Sequence, residues 1–219
     1  MSRALRFAFF LLVVRPVILI ILGLNVRRRH LLPQNGPAII AANHNSHLDA
    51  ITLMTLFGMS QLHQVSPVAA VDYFHRNRLM KWFSNEIIGI IPLNRRIGTQ
   101  RDDPLEPVSK ALAAGKILIL FPEGTRGEPE ELQEFRTGIA HLAKRHPDVP
   151  IIPVFMYGLG KSLPRGEGIL VPFFCDVFIG QDFRWNGSRE AFMQILSSRM
   201  SSLADECRKP DWETEDSSA

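Results

Sequence analysis

Cysteine is nearly absent. Cys175 and Cys207 stand alone in 219 residues, with no C-x-x-C and no histidine at zinc spacing. That argues against both a disulfide framework and a thiolate zinc site, and fits a reducing, cytosol-facing compartment. Charge of one sign is also scarce. The formal net charge is +3 and the pI about 9.1, too mild to point to a nucleic-acid partner, although a basic edge suits an anionic membrane surface or a phosphate-bearing ligand. There is no internal repeat and no sign of a second domain. With 46% hydrophobic and 21% charged residues, the chain has enough apolar material for one full core, which excludes disorder over most of its length.

One long hydrophobic run is present. Residues 5–24, LRFAFFLLVVRPVILIILGL, would make a helix roughly 30 Å long, near the hydrocarbon thickness of a bilayer. Arg6 could snorkel to the interface. Arg15-Pro16 interrupts the run at its middle, where an arginine costs about 2.5–3.5 kcal/mol on insertion scales and proline removes a backbone donor. A kinked, partly inserted or monotopic anchor is therefore expected rather than a straight span. Arg27-Arg28-Arg29-His30 follows, a cluster that belongs beside anionic lipid on the cytoplasmic side and directs the rest of the chain to the cytosol. Three arginines in place of a small-residue cleavage site argue against a secretory signal peptide. Burial of the run in the protein's own core is the main competing expectation.

Beyond the run, short apolar stretches alternate with helix-like segments. Strands are expected at residues 38–43, 65–71, 87–93, 117–121, 151–157 and 169–179, the last interrupted at Pro172, and helices at 48–57, 74–83, 105–114, 139–145 and 188–208. This predicts an α/β single domain with a mostly parallel central sheet flanked by helices, plus an N-terminal apolar membrane-anchoring helix. The expected division is an anchor with its basic flank at 1–30, an α/β domain at 31–210 and an acidic tail at 211–219, DWETEDSSA. Polar clusters at strand ends then mark the candidate site.

The first such cluster is NHNSHLD, residues 43–49. Three readings are open. With Ser46 as N-cap, Asp49 completes an S-x-x-D arrangement close to a capping box, a purely structural role that leaves His44 unexplained. Alternatively His44 and Asp49 pair. On one continuous helix, residues five apart lie about 140° from each other, so pairing requires a strand-to-helix bend, across which the carboxylate would fix the imidazole tautomer and leave the other ring nitrogen as a base. In the third reading His44, His47 and Asp49 are ligands of a hydrolytic metal.

Three further elements accompany it. FPEGTR, residues 121–126, follows an apolar strand and offers an acid, a glycine that permits close backbone approach, a hydroxyl and the planar fork of Arg126, suited to phosphate. GIIPLNR, residues 89–95, ends in Arg95-Arg96, and VPIIPV, residues 149–154, reads as a buried strand rimmed by proline. Each alone is compatible with an ordinary turn or strand end. In this order and spacing, H-x-x-x-x-D at His44 and Asp49 together with the other three resembles the glycerolipid acyltransferase family, which includes the 1-acylglycerol-3-phosphate acyltransferases. The resemblance covers about residues 38–154; Pro92-Leu93 departs mildly from the family's second motif.

The resemblance implies a membrane-associated transferase, its catalytic domain facing the cytoplasm at a bacterial inner membrane. It would move a fatty acyl group from acyl-CoA or acyl carrier protein to the free hydroxyl of a lysophospholipid, 1-acylglycerol-3-phosphate by default, with another lysophospholipid or a lyso-aminolipid behind it. No cofactor or metal is implied; the partners are the acyl donor, the lipid acceptor and membrane lipid. His44 would be the general base and Asp49 its orienting carboxylate. Arg95, Glu123, Gly124, Thr125 and Arg126 would bind substrate, Arg126 or Arg95 on the phosphate and Glu123 on a hydroxyl, with backbone N–H groups near Gly124 as a guess for the oxyanion. A metal-dependent lipid hydrolase and a non-catalytic membrane module are the rival classes.

Overall fold

The apolar run Ala38–Ala42, strand β2, is buried at every residue, the signature of a strand covered on both faces. In the computed structural model, which describes residues 2–70, 78–93, 103–127, 131–162 and 173–208, seven strands form the sheet. They are β1 (Leu22–Arg27), β2, β3 (Val65–Ala70), β4 (Ile91–Leu93), β5 (Ile117–Leu120), β6 (Ile151–Tyr157) and β7 (Phe173–Ile179), in the spatial order β1-β7-β6-β2-β5-β3-β4. β6, β2, β5, β3 and β4 run parallel. β7 is antiparallel to β6, and β1 is parallel to β7.

Alternation along the strands divides the interior into two cores. Ala38, Ile40 and Ala42 of β2, Ile117 and Ile119 of β5, and Ile152, Val154 and Met156 of β6 face one side. Ile39, Ala41, Leu118, Ile151 and Phe155 face the other. The first side is covered by the N-terminal helical segment and by α3 (Asp49–Thr55), through Leu53 and Met54. The second is covered by α5 (Glu106–Ala113), α6 (Gly138–Arg145) and α8 (Arg189–Arg208), which supply Val108, Leu112, Ile139, Leu142, Phe192, Leu196 and Met200.

The N-terminus departs from expectation. α1 (Ser2–Phe9), a π-helical turn (Phe10–Val14) and α2 (Arg15–Ile21) follow one another with helical backbone, and the chain then becomes extended at Leu22. The single helix expected over residues 5–24 therefore stops at Ile21, because β7 offers a pairing edge that Leu22, Leu24 and Val26 can use with their side chains in the first core. Gly23 fits this exchange: a Cβ there would meet the Phe174 ring at 2.5 Å. Among the described residues no helix is long and apolar enough to cross a membrane.

Arg6, Phe10, Val14, Ile18 and Leu22, spaced four apart, are buried, and each buried apolar side chain holds the segment to the domain by up to about 1.5–3 kcal/mol. The opposite face is apolar and open, with Leu12 at 71%, Leu19 at 67% and Ile20 at 82% exposure. Arg15 turns inward and donates to the Phe57 carbonyl at 2.9 Å. Arg28 grips the Glu206 carboxylate with two bonds of 2.8 Å, and Arg29 donates to the Leu56 carbonyl, so two of the arginines expected to meet lipid bond to other parts of the domain.

The strand expected at 87–93 is confined to β4; residues Phe83–Ile88 form a π-helical turn closed by Gly89 at φ 72°. Of the helix expected at 74–83, α4 (Arg78–Trp82) is seen, with Phe83 opening the π-helical turn and residues 74–77 lying outside the described residues. A short α7 (Leu159–Ser162) was not expected. The tail at 211–219 and residues 169–172 also lie outside the described residues.

Candidate active site

β2 ends at Ala42 and α3 begins at Asp49, so residues 43–48 form the bend that pairing of His44 with Asp49 requires. Asn43, fully buried, closes the strand by exchanging two hydrogen bonds with Met156 at the end of β6: its Nδ2 donates to the Met156 carbonyl at 2.9 Å and its Oδ1 accepts from the Met156 N–H at 2.7 Å. Asn45 Nδ2 donates to the same carbonyl at 3.2 Å. The bend is thereby anchored to two neighbouring strands at their carboxyl ends, the position where α/β sheets carry ligand sites.

His44 folds back over the start of α3 and its Nδ1 lies 2.9 Å from Asp49 Oδ2. That oxygen also accepts the backbone N–H groups of Asn45 at 2.6 Å and Ser46 at 2.8 Å. With two N–H donors aimed at it, the buried carboxyl is held as an acceptor, so the Nδ1 proton resides on the imidazole and Nε2 carries the lone pair. Nε2 has no hydrogen-bond partner among the described residues, and the side chain is 23% exposed. The Asp49 bond to the Ser46 N–H is one half of the capping box, while Ser46 Oγ accepts from Leu48 N–H at 3.3 Å. One carboxylate thus serves both the cap and the pair.

The FPEGTR loop reaches the same place from β5. The Phe121 ring stacks on the imidazole, centroids 4.1 Å apart and planes 17° from parallel. Glu123 Oε2 accepts the His44 N–H at 3.3 Å, and the Gly127 N–H donates to the His44 carbonyl at 3.1 Å. His44 is therefore held by its ring and by both of its peptide groups. Glu123 is 3% exposed, and burial pushes its carboxyl up to about 7, against the hydrogen bonds from the His44 and Gln133 N–H groups, with the Asp49 charge adding to the rise.

Gly124, at φ 76°, forms a tight turn in which its N–H donates to the Phe121 carbonyl at 3.0 Å. That N–H is engaged within the turn. Thr125 is exposed and Arg126 half-buried. The Arg126 charge is felt at His47, whose imidazole is held below the usual histidine range by burial, then by the charges of Arg126 and His44, with Asp49 opposing.

A three-ligand metal arrangement of His44, His47 and Asp49 does not fit this geometry. Among the described residues no three His, Cys, Asp or Glu side chains are grouped so as to hold a metal ion. Arg95 lies outside the described residues. Asn45, Phe121 as a ring partner and Gly127 were not singled out in the sequence, and Asn43 was noted only as preceding His44. A buried amide directly after an unbroken apolar strand was the available signal for Asn43, since such a group needs a defined partner.

Comparison with known proteins places this geometry in context. The Acyltransferase family model matches residues 23–157. A chloroplastic 1-acyl-sn-glycerol-3-phosphate acyltransferase of Arabidopsis thaliana is 29% identical over 149 residues, covering 67% of this chain and 40% of the relative. A probable 1-acyl-sn-glycerol-3-phosphate acyltransferase of Mycoplasma pneumoniae is 28% identical over 129 residues, 58% of this chain and 47% of the relative. The chain thus spans less than half the length of these curated relatives. The crystal structure of the 1-acyl-sn-glycerophosphate acyltransferase PlsC of Thermotoga maritima superposes with a TM-score of 0.75 at 16% identity, covering 95% of this chain and 81% of that one, and shows the same fold.

Proposed function

Because the chain belongs to the Acyltransferase family, we propose that it transfers a fatty acyl group from an acyl thioester, acyl-CoA or acyl carrier protein, to the free hydroxyl of 1-acylglycerol-3-phosphate, giving phosphatidate. The observation that carries this reading is the 2.9 Å contact between His44 Nδ1 and a buried carboxylate, which leaves Nε2 unoccupied beside the FPEGTR loop. The names of the matched relatives supply the acceptor.

In the proposed step Nε2 of His44 takes the acceptor's hydroxyl proton as that oxygen attacks the thioester carbonyl. The new ester C–O bond forms, the C–S bond breaks, and the imidazolium returns the proton to the departing thiolate. Asp49 fixes the tautomer and stabilises the imidazolium. Arg126, with Arg95, takes the acceptor phosphate, for which a guanidinium fork is suited. Glu123 positions His44 through its backbone N–H, and Gly124 and Thr125 shape the loop that carries Arg126. No cofactor enters, and no acyl-enzyme is required because the acceptor itself attacks.

The acceptor and product are lipids, and the exposed row Leu5, Leu12, Leu19 and Ile20 suits the helical segment at residues 2–21, the part of 1–30 that precedes β1, as an anchor lying in a membrane surface, with the remainder facing the cytoplasm. The test is an acyl-transfer assay of membranes containing the protein, run against lysophosphatidate, other lysophospholipids and a lyso-aminolipid, with both thioester donors and with chelator present. Transfer to lysophosphatidate in chelator supports the reading. Transfer only to another lysolipid moves the acceptor, and hydrolysis that chelator abolishes overturns the reaction class.

A further inference from the structure

The parallel strands also have a second end. Lys116 immediately precedes β5 and Ser66 lies at the start of β3, whereas Glu123 follows β5. At about 3.3 Å per residue, the strand separates Lys116 from the FPEGTR loop by more than about 13 Å. At that far end α1 passes the starts of β3, β4 and β5, and a cavity of about 580 Å³ opens between them. Its charged lining is Arg3, Arg6 and Lys116 against one carboxylate, Glu86, with His63 beside them.

The cations are built in. Arg6 is 8% exposed; its Nη2 donates to the Val65 carbonyl at 2.7 Å, and its Nε has no hydrogen-bond partner among the described residues. Gly89 makes room for it, since a Cβ there would lie 2.6 Å from Nη1. Lys116 Nζ donates to the His63 carbonyl at 2.5 Å. Among the described residues neither Arg6 nor Lys116 has a carboxylate within ion-pair distance. Burial holds the Arg6 guanidinium down at about 10, and it lowers the Lys116 ammonium with help from the charges of Arg6 and Arg3. Like charges gathered in a partly dry space repel unless an anion joins them.

We propose that this cavity binds a phosphate-type anion at a site separate from the acyl-transfer centre. The guanidinium groups of Arg3 and Arg6 and the Lys116 ammonium, lining one cavity, match tetrahedral, multiply charged oxygens. The apolar walls Phe7 and Leu62 and the volume, far larger than one phosphate, fit an anion carried on an amphiphile. Arg3, Arg6 and Phe7 sit on the same helix as the exposed apolar row, which brings the cavity to the level of a lipid headgroup.

The test is titration calorimetry on the full chain with inorganic phosphate, with monomeric dihexanoyl phosphatidylglycerol and with its zwitterionic choline counterpart. Expected, in an Arg126→Ala background that removes the acceptor-phosphate contact, is binding of an anionic probe that falls at least tenfold when Arg3→Gln/Lys116→Gln is added, with an unchanged circular dichroism spectrum. Lys116→Gln alone, expected to weaken binding several-fold, decides the matter if the double variant does not fold. Tighter binding of the glycerol lipid than of phosphate assigns the site to headgroups; equal or weaker binding assigns it to free phosphate. Absence of binding by both anions in that background, equal binding of the choline lipid, or binding unchanged by these substitutions overturns the proposal.

Discussion

Glu123→Gln isolates the energetic consequence of burying an acid beneath the imidazole. The carboxyl is raised from 4.5 to about 7 by burial, so between those values the folded protein binds a proton that the unfolded chain releases. Stability contributed by Glu123 is unchanged below about 4.5, falls as pH rises through the window, and stays reduced above about 7. At about 1.4 kcal/mol per unit, the full loss is about 3 kcal/mol. Glutamine keeps a carbonyl to accept the His44 N–H and does not titrate. The stability difference between Glu123→Gln and the parent, from urea midpoints at pH 4.5 to 8, should therefore move by about 3 kcal/mol in favour of the variant as pH rises. Other titrating groups cancel in that difference. A flat difference across the window would refute the reasoning, because Glu123 would then be as well solvated folded as unfolded.

Four further outcomes are expected. His44→Ala should lose about 10²–10⁴ in acyl-transfer rate, the usual contribution of a positioned base, with unchanged thermal unfolding; full turnover by the folded variant removes His44 from the chemistry. Arg126→Ala should raise the acceptor KM with little change in kcat if its contact is uniform binding, read from acceptor saturation curves. Phe10→Ala, at a residue 1% exposed, should destabilise by about 3–5 kcal/mol through the cavity it leaves, measured by urea unfolding. Leu12→Glu/Leu19→Glu should weaken co-flotation with lipid vesicles while leaving the circular dichroism spectrum intact, since both side chains are largely exposed.

Where local pattern and tertiary structure agree, the sequence was informative. Strands β2, β3, β5 and β6 are apolar runs bounded by polar turns, and their positions were legible to within a residue or two. β1 was not, because Leu22–Leu24 closes the apolar run of the preceding helix, and only the partner edge of β7 decides that it is extended. Ile87-Ile88 misled in the opposite direction: two adjacent isoleucines look like strand, yet they close a π-helical turn against Phe9 and the first core. Gly89, left-handed at its end, was the stop signal. Arg15 shows the same limit from another side. Its cost in a bilayer follows from sequence, but its partner, the Phe57 carbonyl 42 residues away, is a product of folding.

The five-residue spacing of His44 and Asp49 follows from the bend. Asp49 sits in the first turn of α3, where a carboxylate is favoured by the exposed N–H groups whether or not any chemistry occurs. Two backbone N–H groups of the preceding bend, from Asn45 and Ser46, already orient Oδ2, and the imidazole approaches an acceptor whose position the backbone has set. The structural and chemical readings of the motif are therefore one arrangement with two beneficiaries. The dependence is asymmetric. Without the imidazole, Asp49 keeps both backbone donors and the bend retains its cap. Without the carboxylate, three donors in a buried site are orphaned, each at about 1–3 kcal/mol. Loss at position 44 falls on the reaction alone, whereas loss at position 49 falls on the bend and the reaction together.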